Sequence, residues 1–308
     1  MTAIKEKLID AFQIRKSKKQ KTAFRAWLRG ILEKEGFAVT EEKGSFSTNV
    51  IAGDPEKAKV IFTAHYDTCA VLPIPNFITP RNFLVYLLYQ LLFTAVVFAI
   101  VFGSEFALLA LWEDCPLWVV MALVYAMAIF MFWWLIDGPA NKHTANDNTS
   151  GVLTLLETAL ALPKEQRDTA AFIFFDNEEK GLFGSTAFAG KHKKVKKETL
   201  LLNFDCVSDG DHLHLFPTKK VMKDENTMSL LRNAFLPDGE KTVTVAKGYY
   251  PSDQKAFAKG VGICALNHSK IVGYYMDKIH TSKDTVMDEG NIALLRDGAV
   301  RLVDTLSK

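Results

Sequence analysis

The chain has 308 residues, 49% of them hydrophobic, which is enough apolar material for one large α/β domain or two smaller ones. Its formal charge of +2 excludes the broad basic field on which nucleic-acid binding depends. The four cysteines, Cys69, Cys115, Cys206 and Cys264, form no C-x-x-C pair, which argues against a zinc knuckle or a disulfide framework and fits reduced thiols in a cytosolic setting.

The opening residues, MTAIKEKLIDAFQIRKSKKQK, lack the apolar core of a secretory signal. From about Lys18 to Glu35, Phe24, Trp27, Leu28, Ile31 and Leu32 recur at helical spacing, and Gly36 suits a C-terminal cap. Strands are expected over 46–52 and 59–64, divided by the turn Gly53-Asp54-Pro55; the second runs into His65-Tyr66-Asp67.

From Asn82 to Ser104, and again from Cys115 to Ile136, no residue is charged. Each run can cross a hydrocarbon core, which takes ~20 residues, and soluble helices seldom lack a polar face over that length. Two core helices or a hydrophobic lid are the alternative. The pattern predicts an inserted transmembrane helical hairpin over 81–137, hence a two-pass protein of the cell membrane in contact with the lipid bilayer. Arg81 precedes it, Lys142 and His143 follow it, and the loop between the spans holds Glu105, Glu113 and Asp114 but no Lys or Arg. That asymmetry predicts the main domain on the cytoplasmic side.

After the polar loop Gly138–Gly151, a helix is expected over Gly151–Leu162, closed by Pro163, then a buried strand from Ala171 to Phe175. Further strands are read at Thr199–Phe204, His212–Phe216, Thr242–Ala246 and Val261–Leu266, and helices at Glu225–Phe235, Asp253–Lys259 and Asn291–Leu306. The basic run Lys191–Lys197 is a solvated loop or a contact for anionic lipid headgroups. Alternating strands and helices predict a three-layer α/β/α sandwich with a mixed, largely parallel central sheet. Residues 1–80 and 138–308 then form one domain, and the hairpin is an insertion in it.

The stretch Ala170–Ser185 (AAFIFFDNEEKGLFGS) organises the rest: a strand buried on both faces ends in Glu178 and Glu179, where α/β sheets collect their ligands. Neighbouring side chains leaving a strand diverge, so one carboxylate can take a metal while the other faces water or substrate. His65, Asp147, Glu179, Asp205 and His280 also fall where strands give way to loops. Two histidines and three carboxylates suit two zinc ions that share one carboxylate, an arrangement used for hydrolysis.

The segments HYD (His65–Asp67), ANDNTSG (Ala145–Gly151), NEEKGLFGS (Asn177–Ser185), NFD (Asn203–Asp205) and HTSKDT (His280–Thr285) occur in that order. This resembles the co-catalytic di-zinc exopeptidase family that includes bacterial leucyl aminopeptidase, glutamate carboxypeptidase II, glutaminyl cyclase and the transferrin receptor. The resemblance covers nearly the whole chain except the hairpin. It implies that His65 and Asp205 bind one zinc, Glu179 and His280 the other, and Asp147 both, with cobalt or manganese as possible substitutes. It further implies Glu178 as general base, Asp67 holding the His65 imidazole, and a cis peptide bond after Asp147. Tyr249, Tyr250, Ser252 and Asp253 lie where related enzymes shape the substrate pocket, and Asp284 reads as a supporting or capping group. His143, His192, His212, His214 and His268 match no motif and read as structural or surface residues.

The implied activity is that of an aminopeptidase acting on short peptides. A glutaminyl cyclase-like acyltransferase and a non-catalytic membrane receptor are the competing expectations. Side-chain preference, the choice between amino and carboxyl ends, and oligomeric state are left open. The departure from the family is the roughly eighty residues between His65 and Asp147, a surplus the two spans account for.

Overall fold

The computed structural model describes every residue except 1, 73, 75, 113 and 240, so Glu113 of the inter-span loop lies outside the described residues. Two helices open the chain, α1 (Thr2–Phe12) and α2 (Lys18–Lys34). Ser17 caps α2 by accepting from the Gln20 amide while the Gln20 side chain accepts from the Ser17 amide. Gly36, at φ +90°, leads the chain away at the other end.

Then come β1 (Val39–Lys43), β2 (Thr48–Ala52), β3 (Val60–His65), α3 (Phe83–Leu111), α4 (Leu117–Asp137), α5 (Gly151–Ala161), β4 (Ala170–Phe175), α6 (Phe183–Lys191), α7 (Lys193–Glu198) and β5 (Leu200–Phe204). The chain closes with β6 (His212–Pro217), α8 (Lys219–Met222), α9 (Glu225–Ala234), β7 (Thr242–Val245), β8 (Gly260–Ser269), β9 (Gly273–Tyr275) and α10 (Glu289–Ser307). The sheet order is β1-β2-β4-β3-β5-β8-β6-β7, with β9 paired to β8. Its centre, β4-β3-β5-β8, is parallel, and antiparallel pairings flank that centre on both sides.

Both faces of the centre are covered. Val60, Phe62, Phe172 and Phe174 pack with Phe24, Leu155 and Leu295 from α2, α5 and α10; their strand neighbours Ile61, Ile173 and Phe175 pack on the other face with Phe188, Val195 and Phe257. A period of two with no polar position is what a strand buried on both faces requires, and it makes the sandwich three-layered.

Three expectations are corrected here. The Asp253–Lys259 helix is a single turn, Asp253–Ala256, after which the chain extends and buries Phe257 against the second face. The polar strand β1 (VTEEK) escaped notice because only Val39 in it is buried. The first long apolar helix runs on past Gly103, which has open space around it and breaks nothing, to Leu111.

The helices α3 and α4 leave from the end of the sheet where β3 stops. Ala70 bridges Ala140, Val71 N donates to Pro139 O (2.8 Å) and Asn141 N to Cys69 O (3.1 Å), so the insertion returns the chain to where it left. Ile78 pairs with Met276, which keeps the segment before α3 part of the domain. Tyr249 meets Phe83 and Tyr86, in the first turn of α3, at ring-centroid distances of 5.5 Å. Beyond that base both helices are long and apolar enough to cross a membrane, and no residue of α3 is buried. The basic run is different: Lys191 ends α6 and the lysines from Lys193 to Lys197 lie in α7, which leads into the start of β5, at the end of the sheet away from the helices.

Candidate metal centre

Three parallel strands deliver the chemistry at their carboxyl ends. His65 is the last residue of β3, Glu178 and Glu179 follow β4 in a tight turn, and Asp205 follows β5. Asn177 and Leu182, which bracket that turn, have φ of 56° and 59°. Cys206 (φ 56°) follows Asp205, and His280 has φ 62°; these four are the positive-φ residues other than glycine among the described residues. Side chains rarely adopt this region, so its concentration around one pocket marks backbone held by its surroundings for the sake of what it points at.

Asp147 lies at the centre. Its Oδ1 is 3.3 Å from His65 Nε2 and its Oδ2 is 3.1 Å from His280 Nε2. His65 Nε2 is also 3.4 Å from Asp205 Oδ1, and His280 Nε2 is 3.1 Å from Glu179 Oε2. The donor atoms of His65, Asp147 and Asp205 lie within 4.8 Å of one another, as do those of Asp147, Glu179, His280 and Cys69, and those of His65, Glu178 and Glu179. All five expected ligand residues and the expected base therefore meet at one pocket of about 280 Å³, which Tyr250 and Lys255 also line.

The electrostatics suit cations. Burial alone would lower the two imidazoles, yet the carboxylates around them raise both well above the ordinary histidine value. Burial raises Glu178 and Glu179, while Asp147 is held below the usual carboxylate range against its own burial by His280 and His65. Four carboxyl groups face two imidazoles in the pocket, and Glu179 Oε1 is buried with no hydrogen-bond partner among the described residues. Carboxylate oxygens and imidazole nitrogens are what zinc takes, so the residues fit that metal.

Supporting groups hold these ligands. Asp67 accepts from the Glu178 amide (3.0 Å) and the Glu179 amide (3.2 Å), which fixes the turn; the nearest partner of His65 Nδ1 is the Asp67 carbonyl at 3.2 Å, its carboxylate being 3.7 Å away. Asp284 accepts from Asn146 N (2.6 Å) and Asp147 N (3.0 Å). The Asp147–Asn148 peptide is cis, as expected.

Of the residues read as substrate contacts, Tyr250 lines the pocket, Tyr249 packs on α3, and Ser252 and Asp253 are fully buried behind the wall, Ser252 accepting from Asn203 Nδ2 (2.9 Å). Sequence reasoning passed over Asn146 and Asn148. Asn146 Oδ1 accepts from Ser208 N and Asp209 N, and Asn148 Oδ1 from Gly151 N and Cys206 N, which ties the Asp147 loop to the one after β5. It also passed over Arg15, fully buried and bonded to Thr149 Oγ1 at 3.1 Å. The position of both asparagines beside Asp147 in the polar loop was the available signal.

Comparison with known proteins agrees with this geometry. The profile of Peptidase family M28 matches residues 133–301, more than half of the chain. A probable leucine aminopeptidase of Arthroderma otae is 30% identical over 156 residues, 46% of this chain and 42% of that protein, and one of Trichophyton verrucosum matches to the same extent. The matched region thus spans less than half the length of these relatives. Among solved structures, glutaminyl cyclase of Porphyromonas gingivalis has a TM-score of 0.63 at 16% identity, covering 98% of this chain and 96% of that one. A Zn-dependent exopeptidase from Parabacteroides distasonis has 0.60 at 16%, covering 99% and 96%. The LapA aminopeptidase of Legionella pneumophila has 0.60 at 15%, covering 99% and 68%. At these identities the structures show a shared fold.

Proposed function

We propose that this chain, which belongs to peptidase family M28, is a membrane-anchored aminopeptidase that hydrolyses short peptides at a pair of zinc ions. The observation that carries the reading is Asp147, whose two oxygens address one histidine each. His65 and Asp205 would hold one ion, Glu179 and His280 the other, and Asp147 both. When bound, such ions polarise a scissile carbonyl and lower the pKa of water. Glu178, left outside that ligand set and facing the pocket, takes the proton of the attacking water and returns it to the departing amine. Asp67 holds Glu178 in place through its amide, and the acidic pocket wall complements the ammonium group of a peptide amino terminus. The helices α3 and α4 anchor the domain at the cytoplasmic face of the cell membrane.

Elemental analysis of detergent-purified protein, joined to a screen of aminoacyl reporter substrates, tests this. Two zinc ions per chain and amino-terminal cleavage are expected. Glu178→Ala should keep both ions while kcat falls at least about 10²-fold, the ordinary worth of a general base. One ion per chain with cyclisation of an amino-terminal glutamine would favour the acyltransferase reading. Absence of bound zinc would favour a receptor.

A further inference from the structure

Beside the metal centre, on the other side of Lys180, lies a second and larger cavity of about 450 Å³. Six cationic side chains line it, Lys16, Lys18, Lys21, Arg25, Lys43 and Lys180, with Asp176 as the acidic member of the wall. Lys21 pairs with Asp176 (2.7 Å), Arg25 with Glu41 (3.2 Å), and Lys16 and Lys180 share Asp137 (3.8 and 2.7 Å). Six cations against three carboxylates leave three positive charges in surplus. Lys18 and Lys43 are exposed and have no acidic partner among the described residues. Such a surplus calls for an anion.

Position says which kind. Asp137 is the last residue of α4, and Lys16 Nζ also donates to the Ile136 carbonyl (3.2 Å), so the cavity wall is bonded to the foot of a helix read as a membrane span. Phe46, in the turn between β1 and β2, lines the same cavity at 69% exposure and packs against the half-exposed Phe183, ring centroids 5.4 Å apart. An exposed aromatic beside cations without acidic partners suits the boundary between headgroups and acyl chains. We infer that this cavity binds the phosphate of an anionic phospholipid in the leaflet from which α4 emerges, with Phe46 reaching the acyl region. The inference rests on the membrane reading of α3 and α4 and is independent of the peptidase reading.

The test uses the full chain in an uncharged detergent. Dioleoyl phosphatidylglycerol, dioleoyl phosphatidylcholine and inorganic phosphate are titrated separately and followed by native mass spectrometry and thermal melting. Phosphatidylglycerol should bind at least tenfold tighter than phosphatidylcholine. The double variant Lys18→Glu/Lys43→Glu should abolish that preference with an unchanged lipid-free melting temperature, and Phe46→Ser should weaken phosphatidylglycerol several-fold. Equal binding of the two lipids, or charge variants that keep the preference, would overturn the site. A response to inorganic phosphate equal to that to phosphatidylglycerol, indifferent to Phe46→Ser, would overturn the lipid assignment. Carbonate extraction of membranes separates the premise: a chain released by the wash is not integral, and the anchor reading fails with it. A chain retained in the pellet that shows no lipid preference refutes this inference alone.

Discussion

An imidazole buried without a partner is a liability that acid exposes, and His214 is the case here. Neither ring nitrogen has a hydrogen-bond partner among the described residues; the ring stacks on Phe216 and meets Tyr274 at a tilt, and burial, with Arg81 and His212 nearby, lowers its pKa to about 3. The unfolded chain therefore binds this proton near pH 6.5 while the folded one refuses it until about 3. Stability is complete above 6.5 and falls as pH drops through that window, by up to about 1.4 kcal/mol per pH unit. His214→Phe should flatten the acid side of a pH-stability curve measured by denaturant unfolding; an unchanged slope would show that other groups set it. Glu178 gives a kinetic counterpart. A base must be ionised to act, so kcat/KM should fall on the acid side as Glu178 takes up its proton, and Glu178→Ala should lose that limb. At this scale the sequence was legible where an ionisable residue ends an apolar run at a strand's carboxyl end, as with His65, Glu178 and Asp205. It was silent on Asn146, Asn148 and Arg15, which act by reaching backbone groups far away in the chain.

Helix α5 shows how an element sets the site. Its first residue, Gly151, is wedged where a Cβ would lie 2.4 Å from the Phe204 carbonyl and 2.2 Å from Asn148 Oδ1, so the loop carrying Asp147 can sit against β5 only because no side chain intervenes. Gly151→Ala should cost about 1–3 kcal/mol by overpacking and loosen zinc, read as lowered metal occupancy after dialysis. Gly190, exposed in α6 with nothing within 4 Å of an added Cβ, provides the contrast. Gly190→Ala should raise stability by up to about 1 kcal/mol and leave metal content alone. Strongly periodic elements such as α2 and β4 could be read because one face or both faces must be apolar. The 253–259 segment could not, since tertiary burial of Phe257 outweighs its local helical pattern.

For the whole molecule, the insertion is separable in principle. Because Ala70 meets Ala140 and Ile78 meets Met276, the domain holds both ends of the hairpin by its own contacts. Replacing residues 83–137 with a flexible linker of about ten residues, which spans roughly 17 Å on average, should give a protein soluble without detergent. It should keep its zinc, and kcat/KM on a short peptide should stay within a few-fold; loss of metal would make the helices part of the enzyme itself. The order of the motifs made the catalytic fold readable across the interruption. What the linear text could not convey is that Leu72 donates its amide to the carbonyl of His280 (2.7 Å), which puts the segment leading to the insertion one hydrogen bond from the candidate metal centre.

The unequal lengths of the two apolar helices carry a consequence for encounter. At 1.5 Å per residue, the 21 residues of α4 are about 31 Å long, close to a hydrocarbon core of about 30 Å. The 29 residues of α3 are about 13 Å longer than such a core needs, and their first turn rests on the domain through Phe83, Tyr86 and Tyr249. With the proposed spans inserted, α3 would take up that surplus by tilting while α4 holds the domain close to the lipid, so the mouth of the proposed catalytic pocket would patrol a thin layer over it. Turnover in the cell would then follow how densely substrate gathers along that surface, rather than how much of it is dissolved in the surrounding volume.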